Sequence, residues 1–271
     1  MRFDSSQAWK DASGAVAAHR ELMFALAGVF FLLPSFAMNL LVPKFEPQPG
    51  LPPRMVLDQL GSFYAGVLPY VIAITLLQLV GTLAILTLFT DRTRPTVGEA
   101  IKLGTIGVLP CLGAQLLLGA VIGISFVLLA ALGAASGSSG VVLMLMLVGA
   151  GAAIWAWTQF SLVAPVVAVE RMFNPIAALH RSWNLMRGNT LRVLAFYLLL
   201  IVAFVVIALI VTGVLGVLLA VALPAEAGRI VSALVSSLLT AVLALYFVAV
   251  LAAVHRQLAG PSADITARTF D

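Results

Sequence analysis

Apolar side chains run almost without interruption through six stretches of the chain, and polar residues gather in the short segments between them. The stretches are Leu22–Val42, Phe63–Phe89, Val108–Leu132, Val141–Val169, Leu191–Leu223 and Ile230–Val254. A helix rises 1.5 Å per residue and the hydrocarbon core of a bilayer is about 30 Å thick, so about 20 apolar residues cross it. Each stretch predicts one transmembrane helix. Several exceed the necessary length, which predicts tilt or extension beyond the bilayer. The twenty or so residues before the first stretch are amphipathic, with Trp9, Asp11 and Glu21 among them. A cleaved leader has an apolar region of about 7–15 residues; this one is longer and contains Pro34 and Asn39, so a retained span is expected.

A second amphipathic segment lies between the fourth and fifth stretches. Asn174-Pro175 predicts a helix start, because Asn caps free amides and Pro suits the first helical position. Ile176, Leu179, Trp183 and Met186 then recur at helical spacing, with His180, Arg181, Asn184 and Arg187 offset from them. Such a helix is expected to lie in the headgroup plane, apolar side down.

Composition narrows the class. Hydrophobic residues make up 62% of the 271 and charged residues 10%, against roughly 45–50% and about 25% in soluble domains. A water-soluble enzyme could not hide that much apolar surface, and a disordered chain would be polar and charged. The single cysteine, Cys111, excludes a disulfide framework and a cysteine-built zinc site. The fold class is therefore an all-α polytopic membrane protein of six transmembrane helices with interfacial amphipathic helices.

Charge then gives the orientation. Twelve basic residues fall on one side of the six-span scheme (Arg2, Lys10 and Arg20; Arg92, Arg94 and Lys102; Arg171, Arg181, Arg187 and Arg192; Arg256 and Arg268). Lys44, Arg54 and Arg229 fall on the other. The positive-inside bias puts the basic side and both termini in the cytosol, and the expected location is the bacterial cytoplasmic membrane. The net charge of +4 follows from these loops and does not imply nucleic-acid binding. The outer connectors are the Pro-rich Pro43–Ser62, read as extended, the Gly133–Gly140 turn and Pro224–Arg229.

The basic elbows recur. Asp91-Arg92…Pro95, Glu170-Arg171…Pro175 and His255-Arg256…Pro261 each follow an outside-to-inside span, with the arginines 79 and 85 residues apart. Trp9 and Gly14 before the first span match the spacing of Trp183 and Gly188 before the fifth; Thr96–Gly107 lacks the Trp. This predicts three parallel units, about 1–92, 93–171 and 172–256, each an interfacial helix and a two-span hairpin, with 257–271 as a cytosolic tail. A bundle with alternating loops also yields interfacial Arg and Pro by topology alone.

The span interiors contain no Asp, Glu, Lys, Arg or His. Coupled transporters usually place ionisable groups there, so proton-driven pumping through a buried carboxylate is not expected. The polar inventory is neutral, with Gln78, Gln115 and Gln159 on spans two to four. They read either as interhelical hydrogen-bonding groups or, with Trp155 and Trp157, as the wall of a cavity. Gly119 and Gly123 form a GxxxG pair, and Ser232, Ser236 and Thr240 an i, i+4, i+8 stripe; both predict close helix contacts. Pro34, Pro69, Pro110 and Pro165 predict kinks or breaks in the first four spans.

Catalytic signatures are missing. His19, His180 and His255 stand apart with no metal-ligand spacing, no Gly-rich phosphate loop occurs, and Gly137-Ser138-Ser139-Gly140 lacks the context of a nucleophile elbow. Cys111, in an apolar run, is expected to be an inert thiol.

The stretch Ala164-Pro165-Val166-Val167-Ala168-Val169-Glu170-Arg171, with Ala177, Arg181-Ser182-Trp183 and Arg187-Gly188-Asn189, resembles the membrane domain found with bacterial glycerophosphoryl diester phosphodiesterases and the related YciC-type inner-membrane proteins. Asp91-Arg92…Pro95…Gly98-Glu99-Ala100 resembles an earlier loop of the same family. The resemblance implies six helices in the cytoplasmic membrane. Some members carry a fused catalytic barrel; this sequence contains none, so phosphodiester hydrolysis is not expected of it.

The expectation is a non-enzymatic membrane protein that handles or senses lipid, or scaffolds envelope partners, through its basic cytosolic helices. Its lipid-facing candidates are Glu170, Arg171, Arg181, Trp183, Arg187, Arg92 and Arg94; its cavity candidates are Gln78, Gln115, Trp155 and Gln159. Membrane phospholipids are the expected partners, with other envelope proteins or a second copy as further ones, and no cofactor or metal is expected. The alternatives are a facilitator for a small neutral or amphipathic solute and, more remotely, an intramembrane enzyme. Glu170-Arg171 also reads as a structural pin at the end of span four.

Overall fold

The computed structural model describes residues 3–42, 45, 50, 52–90 and 96–260. Every regular element among them is helical. In chain order these are α1 (Ser5–Ala18), α2 (Arg20–Ala27), a π-helical turn (Gly28–Leu32), α3 (Leu33–Leu41), α4 (Pro53–Thr90), α5 (Val97–Ala135), α6 (Ser139–Gln159), α7 (Val163–Val169), α8 (Pro175–Met186), α9 (Thr190–Ala222) and α10 (Ala225–Ala259). Six stretches are long and apolar enough to cross a membrane: Arg20–Leu41, Arg54–Phe89, Val97–Ala135, Ser139–Val169, Thr190–Leu219 and Ala225–Ala259. The chain is an all-α polytopic membrane protein, as its hydrophobic pattern predicts.

The prolines act differently in each span. In the first, α2 passes into α3 through the π turn, where the Leu33 N–H reaches the Gly28 carbonyl; Pro34 follows directly and lacks the N–H a regular ladder needs. Pro69 and Pro110 sit inside continuous helices. Span four breaks outright. α6 ends at Gln159, residues 160–162 turn, and α7 restarts before Pro165, whose ring would clash with the Ser161 carbonyl in an unbroken helix. The freed Thr158 carbonyl accepts from the Ser161 N–H (3.2 Å) and Oγ (2.9 Å), so the break leaves it satisfied.

Three expectations need correction. The connector read as extended is helical from Pro53 onward, since α4 begins there. The middle unit has no separate interfacial helix: Val97–Gly107 is the first part of α5, started by a Thr96–Glu99 capping box. Gly14 lies within α1, whereas Gly188 ends its segment in the left-handed region at φ 85°, so the Trp9–Gly14 and Trp183–Gly188 pairs are not equivalent turns.

α10 is the axis of the bundle. Its spanning window is 56% buried, against 6% for α5 and for α6–α7, and it packs against α1, α3, α4 and α9. α1 lies along the C-terminal part of α10 through Ala8, Ala12 and Val16, all buried at i, i+4, i+8 spacing. Asp4 and Gln257 exchange hydrogen bonds of 3.2 Å, Arg256 pairs with Asp11 at 3.6 Å, and Trp9 stacks on Tyr246. The Phe3 N–H donates to Asn189 Oδ1 at 3.0 Å, which brings the start of α9 to the same end of the bundle as α1.

The close helix contacts are not where the sequence motifs point. A Cβ on Gly119 or Gly123 would meet nothing within 4 Å, so this GxxxG pair is not a site of close helix approach among the described residues. α5 approaches α4 at Gly104, where a Cβ would lie 2.8 Å from the Val80 carbonyl oxygen. It approaches α6 through Gly133, which faces Val142, and through Gly149, which faces Phe126 and Leu129. In the N-terminal half of α10 the buried small residues are Ala233, Ser237 and Ala241, one position beyond the Ser232–Ser236–Thr240 stripe.

Candidate functional site

Two features converge at the α8 end of the bundle: an ionic cluster and, one helical turn away from it, a cavity.

Glu170 follows α7, and the chain reverses immediately after it through Arg171, a non-glycine residue at φ 54°. This turn folds α8 back beneath α7. Asn174 caps α8 as predicted, its Oδ1 accepting from Ile176 N (3.0 Å) and Ala177 N (3.3 Å). The geometry puts Arg181 Nε 2.8 Å from Glu170 Oε2 and His255 Nε2 3.0 Å from Glu170 Oε1. Burial pushes the Glu170 carboxyl up, but hydrogen bonds from His255 and then Arg181 outweigh it and hold the group below its ordinary value of 4.5. The carboxylate is therefore ionised and acceptor-only, and both partners donate to it. His255 is only 3% exposed, and its Nδ1 has no hydrogen-bond partner among the described residues. One carboxylate thus ties α7, α8 and α10 together.

The structure sorts the candidate residues accordingly. Glu170 is the pin of this cluster. Arg181 is turned toward Glu170 and is not a free headgroup cation, while Arg187 is exposed. Arg92 and Arg94 lie outside the described residues. The apolar stripe expected on α8 splits: Ala178, Ser182, Leu185 and Met186 face the bundle, whereas Ile176 and Trp183 are exposed beside Phe173. Both small and large residues of α8 therefore pack on protein, and Ile176 at its first turn is the most exposed of its large apolar side chains.

Gln159 is a connector rather than a cavity wall. It is 2% exposed; its Oε1 accepts from Thr190 Oγ1 at 2.6 Å, its Nε2 donates to the Trp183 carbonyl at 3.0 Å, and its own carbonyl accepts from Ser182 Oγ at 3.0 Å. Every polar group of this side chain is used where three elements meet. Trp155 is also not a cavity residue: it packs edge-on against Trp183, ring centroids 5.3 Å apart.

Gln78 and Gln115 do line a cavity, of about 630 Å³, between α4, α5 and α10. Its floor is built from Leu179 of α8, Val163 and Ala164 of α7, and the residues of the span-four break, Phe160 and Ser161. Trp157, stacked on Phe247, forms one wall. Leu251 lines it one turn before His255, so the Glu170 cluster closes the space beneath. The polar lining is neutral: Thr75, Gln78, Thr82, Gln115, Ser161 and Thr240. Thr75, Gln115, Gly119 and Thr240 are exposed, so the cavity is open along this part of α4, α5 and α10. Large exposed apolar residues flank the opening, among them Ile72, Leu116, Val121 and Leu238.

Sequence reasoning found the two glutamines but not the partnership of Glu170 with His255. Both residues immediately precede recurring elbow arginines, but that recurrence does not pair one with the other. No family model, curated protein or solved structure matches the chain.

Proposed function

We propose that this protein handles lipid in the cytosolic leaflet of the bacterial inner membrane, admitting a lipid sideways into the cavity between α4, α5 and α10. The carrying observation is the cavity itself: about 630 Å³, within the roughly 300–1,000 Å³ of small-molecule sites, mostly apolar, with a few neutral polar groups and an opening flanked by exposed apolar side chains. A soluble solute would meet these apolar flanks first, whereas a lipid already resides there. The basic end faces the cytosol on this reading, with α8 and α1 resting on anionic headgroups. Arg187 is the α8 cation offered to phosphate, and Phe173, Ile176 and Trp183 dip into the acyl boundary. The resemblance to the membrane domains associated with glycerophosphoryl diester phosphodiesterases agrees with a lipid role without supplying a catalytic one.

Gly119→Trp tests this directly. Gly119 lines the cavity and a Cβ there meets nothing within 4 Å, so an indole can enter the space without a clash at its attachment point. Native mass spectrometry of the protein in mild detergent is expected to show a retained lipid on the wild type and its loss from Gly119→Trp. A lipid-free wild type, or equal retention by the variant, would count against the proposal.

A further inference from the structure

We infer that the cavity selects an uncharged lipid bearing hydrogen-bond donors, of which a diacylglycerol is the simplest kind, and excludes the phosphate-bearing lipids around it. The inference rests on the lipid-handling reading above and adds the chemical class of the ligand.

Three observations support it. First, none of the residues lining the cavity is charged. Arg181, two residues beyond the lining residue Leu179, is held by Glu170 at 2.8 Å. A phosphate drawn inside would lose water and gain no cation, and an unpaired buried charge is far costlier than a buried neutral group.

Second, the two amides are poorly satisfied by the protein. Gln78 Nε2 reaches Ser35 Oγ only at 3.5 Å, and Gln115 Nε2 reaches the Cys111 sulfur at 3.6 Å. Neither Oε1 has a hydrogen-bond partner among the described residues. Amide oxygens at membrane depth need donors, because lipid tails supply none. A ligand hydroxyl donates to such an oxygen, whereas the ionised phosphate of a phosphodiester offers only acceptors.

Third, the amides sit where the head of a cytosolic-leaflet lipid would lie. A Cβ on Gly113 would be 3.4 Å from Pro175 Cβ, at the start of α8. Gln115 follows two residues later, about 3 Å along the helix axis. Beyond it the α5 side of the lining becomes apolar through Leu118 and Ile122, with Thr75 and Thr240 as the hydroxyls on α4 and α10. A head near Gln115 and a tail toward Ile122 therefore match the polarity of the α5 wall and the direction of a lipid in that leaflet.

The test uses the full chain in nanodiscs of phosphatidylethanolamine and phosphatidylglycerol, doped in turn with diacylglycerol or phosphatidic acid carrying the same diazirine-tagged acyl chain. After irradiation, labelled peptides are mapped by mass spectrometry. Diacylglycerol is expected to label peptides containing Leu118, Ile122 or Thr240 at least about fivefold more than phosphatidic acid does. Gln78→Leu with Gln115→Leu should lower that labelling by about tenfold, as loss of two neutral hydrogen bonds implies. The wild-type comparison stands even if the double variant fails to fold. Equal labelling by both lipids would overturn the headgroup inference and leave the lipid-handling reading standing. Absence of cavity labelling by either would overturn both.

Discussion

Glu170→Ala is expected to lower the melting temperature of the detergent-solubilised protein by roughly 5–10 °C. The carboxylate accepts charge-assisted hydrogen bonds from His255 and Arg181, and such bonds contribute about 1.5–3 kcal/mol each when sheltered. Arg181 is 38% exposed, so its share is screened to well under 1 kcal/mol. His255 is nearly buried and its other ring nitrogen already has no partner among the described residues. Removing Glu170 strands the imidazole completely, and most of an expected loss of about 2–3 kcal/mol arises there. At about 2–4 °C per kcal/mol for chains approaching this size, the stated shift follows.

The same variant carries a pH signature. The folded carboxyl titrates below its ordinary 4.5, so the unfolded chain binds the proton more tightly than the native one. The stability it contributes is fully present above pH 4.5 and is lost as pH falls through the lower native value. The wild-type advantage over Glu170→Ala is therefore expected to stay level above that pH and shrink below it. A constant advantage down to strongly acid pH would show that the ionised form is not what ties α7, α8 and α10 together.

Gly104→Val is expected to be severely damaging to the membrane bundle. A Cβ there would approach the Val80 carbonyl oxygen to 2.8 Å and the Ala84 nitrogen to 3.1 Å. Both are backbone atoms, so only separation of α4 from α5 relieves the clash. Overpacking of this kind typically costs about 1–3 kcal/mol and more when backbone must move. Dispersed, monodisperse protein should fall sharply on size-exclusion chromatography, with Gly104→Ala intermediate. Gly119→Ala should behave as wild type. The opposite ranking would mean that the GxxxG pair, not Gly104, sits at the α4–α5 contact.

That contrast marks the boundary of what the sequence makes legible. Hydrophobic runs longer than the bilayer reveal spans without reference to any partner, so all six could be found, and Asn174-Pro175 signals its helix start through local chemistry. Helix faces are another matter. In water the most apolar face is the buried one, but in lipid the surroundings are as apolar as the core, and small residues mark the protein contact. This is why Ala233, Ser237 and Ala241 pack where Ser232, Ser236 and Thr240 were expected, whereas the buried side of α8 mixes small Ala178 and Ser182 with large Leu185 and Met186 while Ile176 and Trp183 face outward. Long-range pairing was equally hidden: Glu170 and His255 are 85 residues apart, and nothing local in either segment specifies the other. Gln159 shows the same limit, because its burial among Thr190, Ser182 and Trp183 depends on how the broken span four meets α8 and α9.

The central claim is that the space between α4, α5 and α10 belongs to a lipid, and a cryo-electron microscopy map of the protein in lipid nanodiscs tests it most directly. An elongated density is expected in that space, its head beside Gln78 and Gln115 and its tail running past Leu118 toward Ile122. A map with α5 closed against α10, or with the space continuous with water at both membrane faces, would contradict it.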